Sequence, residues 1–360
     1  MKKIVMIDTE IDPSGLHCSK FTHLVSKSLK RGKGNQFRPS HGTICAEILD
    51  QFLEDYELIN IEALPNENLG KRKAMGSIQA LREALEICLD LKADIVSISA
   101  ATTLLSDSAV ICDLAFKLSQ TSILVAALDN HGFVSLPASY PFVIGVQADR
   151  AGFLKPGELA CRREDEAGAP FYAGCGQKTQ SGFSYRPSNS FAVPVAAAWC
   201  GRILESGGDV FRACESLPRY PFENRPADTS LWAHPPGTIP RVTLEGPDSV
   251  SICRRAMDRL YQAYQVQAAA LSWERESGDI RIREGKDAAL EEEIQCMETR
   301  YKTDILFFLT CGSFSNTIKE KIEPDLEIRT DGEGTRIFYE TNCVSVSEEK
   351  LAETVYRLLS

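Results

Sequence analysis

Over its first 215 residues the chain alternates short apolar runs with longer runs of helical periodicity, and that rhythm limits the fold more than any other feature. Lys3–Asp8, Leu58–Ala63, Asp94–Ser99, Ile123–Ala127 and Phe142–Val146 read as buried strands. Between them Thr43–Leu53, Ser77–Leu91 and Ala109–Leu118 place apolar side chains at helical spacing. Strands joined by helix-length crossovers pair in parallel, so the expected fold class is α/β, a parallel sheet with helices on both faces. Ala192–Leu204 is apolar nearly all round, which predicts a buried helix.

The pattern then changes. Leu217–Arg241 holds six of the chain's 17 prolines. Proline fixes φ and removes a donor, so residues 216–242 read as a linker between a domain at 1–215 and a smaller α/β (α+β) domain at 243–360. In the latter, Ser249–Trp273 is expected to be mostly helical, Ala288–Tyr301 a helix and Thr303–Leu309 a strand. Leu326–Thr330 and Thr335–Glu340 flank a hairpin turn. Ser345 opens a capping box with Glu348 before the last helix.

Charge and cysteine usage exclude several classes. The chain has 40 Lys and Arg against 50 Asp and Glu, a formal net charge of −10, which argues against nucleic-acid binding. No apolar run is long enough to span a membrane. The 12 cysteines include no Cys-x-x-Cys pair, so neither a closed zinc site nor any other metal or cofactor is expected. The chain opens on a strand with no apolar signal core, so the expectation is a cytoplasmic protein with reduced, mostly buried thiols.

Four short segments carry the chemistry. Asp8 closes the first strand, at the carboxyl end where open α/β sheets build sites. His41, in Ser40-His41-Gly42-Thr43, opens a helix and is a candidate base. Asn130 follows the strand Ile123–Ala127, where a side-chain amide can donate to a developing oxyanion. Ser190, in Ser188-Asn189-Ser190-Phe191-Ala192-Val193-Pro194, sits where the buried helix begins and its backbone N–H groups are unpaired. Singly, each segment also reads as a strand-end carboxylate, a cap, a turn or an N-cap.

Together, in the order Asp, His, Asn, Ser, these motifs resemble the subtilisin-like serine peptidases over residues 2–206. The family's His-Gly-Thr is intact at 41–43, and its Gly-Thr-Ser-Met-Ala-x-Pro appears as Ser188-Asn189-Ser190-Phe191-Ala192-Val193-Pro194. Pro137-Ala138-Ser139-Tyr140-Pro141 resembles another family stretch. The resemblance implies Ser190 as nucleophile, His41 as general base, Asp8 as its orienting partner and Asn130 as oxyanion donor. It also implies an extended peptide substrate beside Ser97, Ser99, Ala100 and Ala101. A domain appended to such a unit resembles the maturation proteases that remove a leader from a precursor peptide.

Several family glycines are replaced, by Glu10, Asp129, Ala101 and Ser188. Their loss leaves open a catalytically impaired peptide-binding module. Between the Asp and His motifs, Lys20, Lys27, Lys30, Arg31, Lys33 and Arg38 stand with no acidic residue from Pro13 to Ala46, which reads first as a solvated loop and, as the sharper alternative, points to an acidic peptide as partner.

Overall fold

The computed structural model describes residues 1–30, 35–36, 39–69, 72–73, 76–221, 226–274, 278–331 and 334–360. The chain divides into two compact units. Unit 1 is residues 1–103, 107–130 and 134–225, and unit 2 is residues 104–106, 131–133 and 226–360.

Unit 1 runs β1 (Lys2–Asp8), β2 (Lys20–Val25), β3 (Asn35–Gln36), α1 (His41–Asp50), β4 (Tyr56–Glu62), β5 (Glu67–Leu69), β6 (Arg72–Lys73), α2 (Ile78–Leu91), β7 (Ile95–Ile98), α3 (Ser108–Ser119), β8 (Ile123–Ala127), β9 (Ile144–Ala148), β10 (Leu159–Cys161), β11 (Phe171–Ala173), α4 (Asn189–Glu205) and α5 (Val210–Glu215). Its main sheet has the order β10-β11-β9-β8-β7-β1-β4-β2. Every pairing in it is parallel except β10 with β11. This is the α/β class that the strand–helix rhythm predicts.

Burial explains the strand sequences. In β1 the last five residues are all buried, and β4 and β7 are buried throughout. Strands covered on both faces lose the alternation of a half-exposed strand and become continuous apolar runs. On the edge, β2 alternates exposed and partly covered residues and carries Lys20 and His23. Its weak apolar signal hid it in what reads as a polar loop.

α4 passes through the core, with Ala192, Val193, Val195, Ala196, Ala197, Ala198 and Cys200 all buried. Small residues let it approach its neighbours closely: a Cβ on Gly201 would lie 2.9 Å from the Leu53 methyls. Cys45 and Cys200 both belong to this core, as the sequence suggests.

Unit 2 runs β12 (Arg241–Glu245), α6 (Ser249–Tyr264), β13 (Ala268–Ser272), β14 (Ile282–Glu284), α7 (Leu290–Arg300), β15 (Ile305–Thr310), α8 (Asn316–Ile322), β16 (Leu326–Asp331), β17 (Gly334–Tyr339), β18 (Asn342–Val346) and α9 (Glu348–Leu359). Its sheet has the order β14-β13-β15-β12-β16-β17-β18, parallel up to β16 and antiparallel beyond. Val242, Leu244, Phe307 and Ile328 form a core with Ile252, Met257 and Leu260 of α6 and Leu351 and Val355 of α9.

Two sequence expectations need adjusting here. Ser249–Trp273 is mostly helical but does not stay so to its end: α6 ends at Tyr264, Gln265 turns at φ +58°, and β13 follows. Ala268-Ala269-Ala270-Leu271 has helical propensity, but all five residues of β13 are buried inside the sheet, and tertiary burial overrides propensity. Ser345 caps nothing either. It pairs with Arg336 in the β17–β18 ladder, and Ser347 precedes the helix with no cap bond. β16 and β17 do pair as an antiparallel hairpin, while residues 332–333 of its turn lie outside the described residues.

Candidate active site

The parallel sheet brings the carboxyl ends of β1, β7 and β8 to one edge of unit 1, and the N-termini of α1 and α4 supply the rest of the site. Asp8 is the last residue of β1 and is fully buried. Its Oδ1 accepts from the Thr9 N–H at 2.6 Å. His41 is the first residue of α1, whose N-cap Ser40 accepts from the Thr43 N–H. The loop after Asp8 is tied to this helix start. The Thr9 hydroxyl accepts from the Gly42 N–H at 2.8 Å, the Thr43 hydroxyl accepts from the Asp12 N–H at 2.9 Å, and the Ser40 hydroxyl donates to the Glu10 carbonyl. Gly42 is required by this approach, because a Cβ there would lie 2.6 Å from the Thr9 carbonyl oxygen.

These anchors set Asp8, His41 and Ser190 in one hydrogen-bonded line. His41 Nδ1 lies 2.8 Å from Asp8 Oδ1, and His41 Nε2 lies 2.9 Å from Ser190 Oγ. The Phe191 ring stacks on the imidazole, with centroids 4.9 Å apart and planes at 19°, and so restricts its tilt. Phe191 occupies the family's Met position, which is why its role was not legible in the motif.

Burial pulls the His41 pKa down, but the Asp8 carboxylate outweighs it and holds the imidazole well above its ordinary value of 6.5. Burial likewise pushes Asp8 up, and the His41 charge with the His41, Thr9 and Ser99 hydrogen bonds reverses that, so its pKa falls below 3.8. The Cys45 thiol is nearby, 3.7 Å from His41 Nδ1, but burial raises its pKa, so it stays a neutral thiol and lends His41 no charge. We therefore assign the His41 shift to Asp8. Asp8, His41 and Cys45 also offer ligand atoms within 4.8 Å of one another, the one such trio among the described residues.

Ser190 is the second residue of α4, where helical N–H groups have no partner within the helix. Pro194, four residues on, cannot donate to the Ser190 carbonyl. The Cys45 thiol approaches that carbonyl at 3.7 Å and offers a weak replacement donor.

Asn130 is fixed by its oxygen. Asn130 Oδ1 accepts from the Asn189 N–H at 3.0 Å and from Arg150 at 2.8 Å, while Arg150 also donates to the Asn130 carbonyl at 3.2 Å. The side-chain N–H groups are thereby left as donors. Asn189, where the family has Thr, is buried and donates to the carbonyls of Leu128 and Asp129 at 3.1 and 2.9 Å. It thus ties the loop carrying Asn130 to the start of α4. Arg150 went unnoticed in the sequence; its only signal was its place two residues past β9.

The remaining expected residues divide. Ser99 faces the site, with its Oγ 3.8 Å from Cys45 Sγ. Ala100 and Ala101 follow the strand end, half-buried and exposed respectively. Ser97 points elsewhere: it is buried inside β7, paired on both sides, with its hydroxyl unpartnered. Thr102 already exchanges both backbone bonds with Leu136, at 3.0 and 2.9 Å. Of the basic stretch, Lys20 is engaged with Glu57 at 2.8 Å, and Arg31, Lys33 and Arg38 lie outside the described residues.

No family model and no curated protein matches the chain. Among solved structures, the chain is similar to prenylagaramide maturation protease PagA, with TM-score 0.39 and 20% identity over 58% of this chain and 78% of that one. It is similar to patellamide maturation protease PatA, with TM-score 0.35 and 20% identity over 57% and 80%. It is also similar to the epidermin leader peptide processing serine protease EpiP from Staphylococcus aureus, with TM-score 0.38 and 14% identity over 57% and 66%. The arrangement of Asp8, His41 and Ser190 is this chain's own, and its class is that of a hydroxyl, a base and an orienting carboxylate in line.

Proposed function

We propose that the chain is a serine endopeptidase of the subtilisin type. The observation that carries the reading is the line of bonds from Asp8 through His41 to Ser190. On this reading Ser190 Oγ attacks the scissile carbonyl and passes its proton to His41 Nε2. His41 then returns that proton to the leaving amine, and Asp8 holds the tautomer and stabilises the imidazolium. The Ser190 N–H and the Asn130 side-chain N–H bind the oxyanion, each donor worth about 3–4 kcal/mol of barrier.

The substrate we propose is a specific precursor peptide from which a leader is removed, in line with the resemblance of a peptidase unit with an appended domain to the maturation proteases. Lys27 and Lys30 favour acidic residues in it. We place the reaction in the cytoplasm: all 12 cysteines are free, and Cys311 and Cys343 are exposed, which suits a reducing compartment.

A fluorophosphonate probe tests the reading. Wild-type protein is expected to be labelled, and Ser190→Ala is not. Folded protein that takes no label and cleaves no peptide would instead be a peptide-binding module.

A further inference from the structure

Ser188 stands two residues before Ser190, where the resemblance expects glycine. Its φ of −141° and ψ of 161° are extended backbone, so the side chain carries no strain. It is the N-cap of α4, a position where serine ordinarily accepts from an N–H of the first turn. Ser188 makes no such bond. Its Oγ lies instead 3.0 Å from Ser190 Oγ.

Donor counting gives this contact a direction. A serine hydroxyl has one proton. When the imidazole is neutral and its Nδ1 carries the ring proton toward Asp8, Ser190 directs its proton to His41 Nε2. Ser188 is then the donor, and Ser190 Oγ the acceptor.

We propose that Ser188 is a positioning residue that holds Ser190 Oγ in line with His41 Nε2. A serine χ1 has three staggered wells, and two hydrogen bonds on one oxygen select a single well. Ser188 keeps its proton throughout; the transferred proton still moves from Ser190 to His41. The effect on rate rests on Ser190 being the nucleophile, but the hydrogen bond itself is measurable without turnover.

The experiment follows the His41 imidazole by NMR titration, alongside phosphonylation rate and melting temperature, in wild type, Ser188→Ala, Ser188→Thr and Ser190→Ala. The chain has five histidines, so a His41→Gln control identifies the signal. The Ser190 hydroxyl bond favours the neutral imidazole, so its loss in Ser190→Ala raises the His41 pKa. Ser188→Ala is expected to raise it in the same direction by less, and Ser188→Thr to restore it. Phosphonylation should slow about 3- to 10-fold in Ser188→Ala, the worth of one hydrogen bond. An unchanged His41 titration in Ser188→Ala overturns the proposal, as does a lower melting temperature with an unchanged titration, which would make Ser188 a plain cap. A His41 titration that shifts in Ser188→Ala, where even the wild type takes no phosphonate, upholds the hydrogen bond and overturns the peptidase reading instead.

Discussion

At the scale of residues, one carboxylate and one amide carry most of the electrostatics. Asp8 is what keeps a half-buried imidazole protonatable above pH 6.5, so removing its charge leaves desolvation to act alone. Asp8→Asn is expected to lower the His41 pKa and to cut phosphonylation by about 10⁴-fold, because the imidazole loses its orienting acceptor. An NMR titration with the labelling rate checks both. Asn130→Ala should slow peptide hydrolysis by about 10²- to 10³-fold while leaving the Asp8–His41 pair intact. Arg150→Ala frees the Asn130 oxygen on one side only, so its loss should be smaller than that of Asn130→Ala. The grouping of Asp8, His41 and Ser190 was legible only through the ordered resemblance of their motifs, because each segment alone read as well as a strand end, a cap or an N-cap. Arg150, Phe191 and the Ser188 hydroxyl were not. Arg150 acts across 20 residues and Phe191 across a ring face, which no local pattern encodes, and the Ser188 hydroxyl turns to Ser190 rather than to a first-turn N–H, a choice made only in the fold.

At the scale of elements, the site depends on how the β1 loop meets the start of α1. Gly42 permits that approach, and a Cβ there would stand 2.6 Å from a backbone oxygen. Gly42→Ala is therefore expected to destabilise by about 1–3 kcal/mol, as overpacking does, and to slow labelling by displacing His41. Thermal unfolding beside the rate measurement checks this. The elements that were legible are those buried on both faces or on one clean face: β1, β4, β7, β8, α2 and α4. Those misread fall where burial and local preference conflict. β13 is alanine-rich yet central in its sheet, and β2 is polar yet paired along its length with β4.

At the scale of the whole molecule, the coupled pair at the site makes stability depend on pH. His41 has a folded pKa above 6.5, so its contribution is complete below pH 6.5 and is lost as pH rises through the folded value. Asp8 has a folded pKa below 3.8, so its contribution is present above pH 3.8 and is lost as pH falls through the folded value. Denaturant midpoints measured across pH should fall on the alkaline side in wild type and fall less there in His41→Gln. Unit 2 has its own sheet and core, and residues 226–360 expressed alone should unfold cooperatively by calorimetry.

The central claim is that Asp8, His41 and Ser190 act as one unit. Its most direct test is site-resolved mass spectrometry of phosphonylation as a function of pH. A single adduct is expected on Ser190, absent from Ser190→Ala, with a rate that climbs through an acid limb centred above pH 6.5 and shifted downward in Asp8→Asn. An adduct elsewhere, or a rate on Ser190 that ignores both pH and the Asp8 substitution, would contradict it.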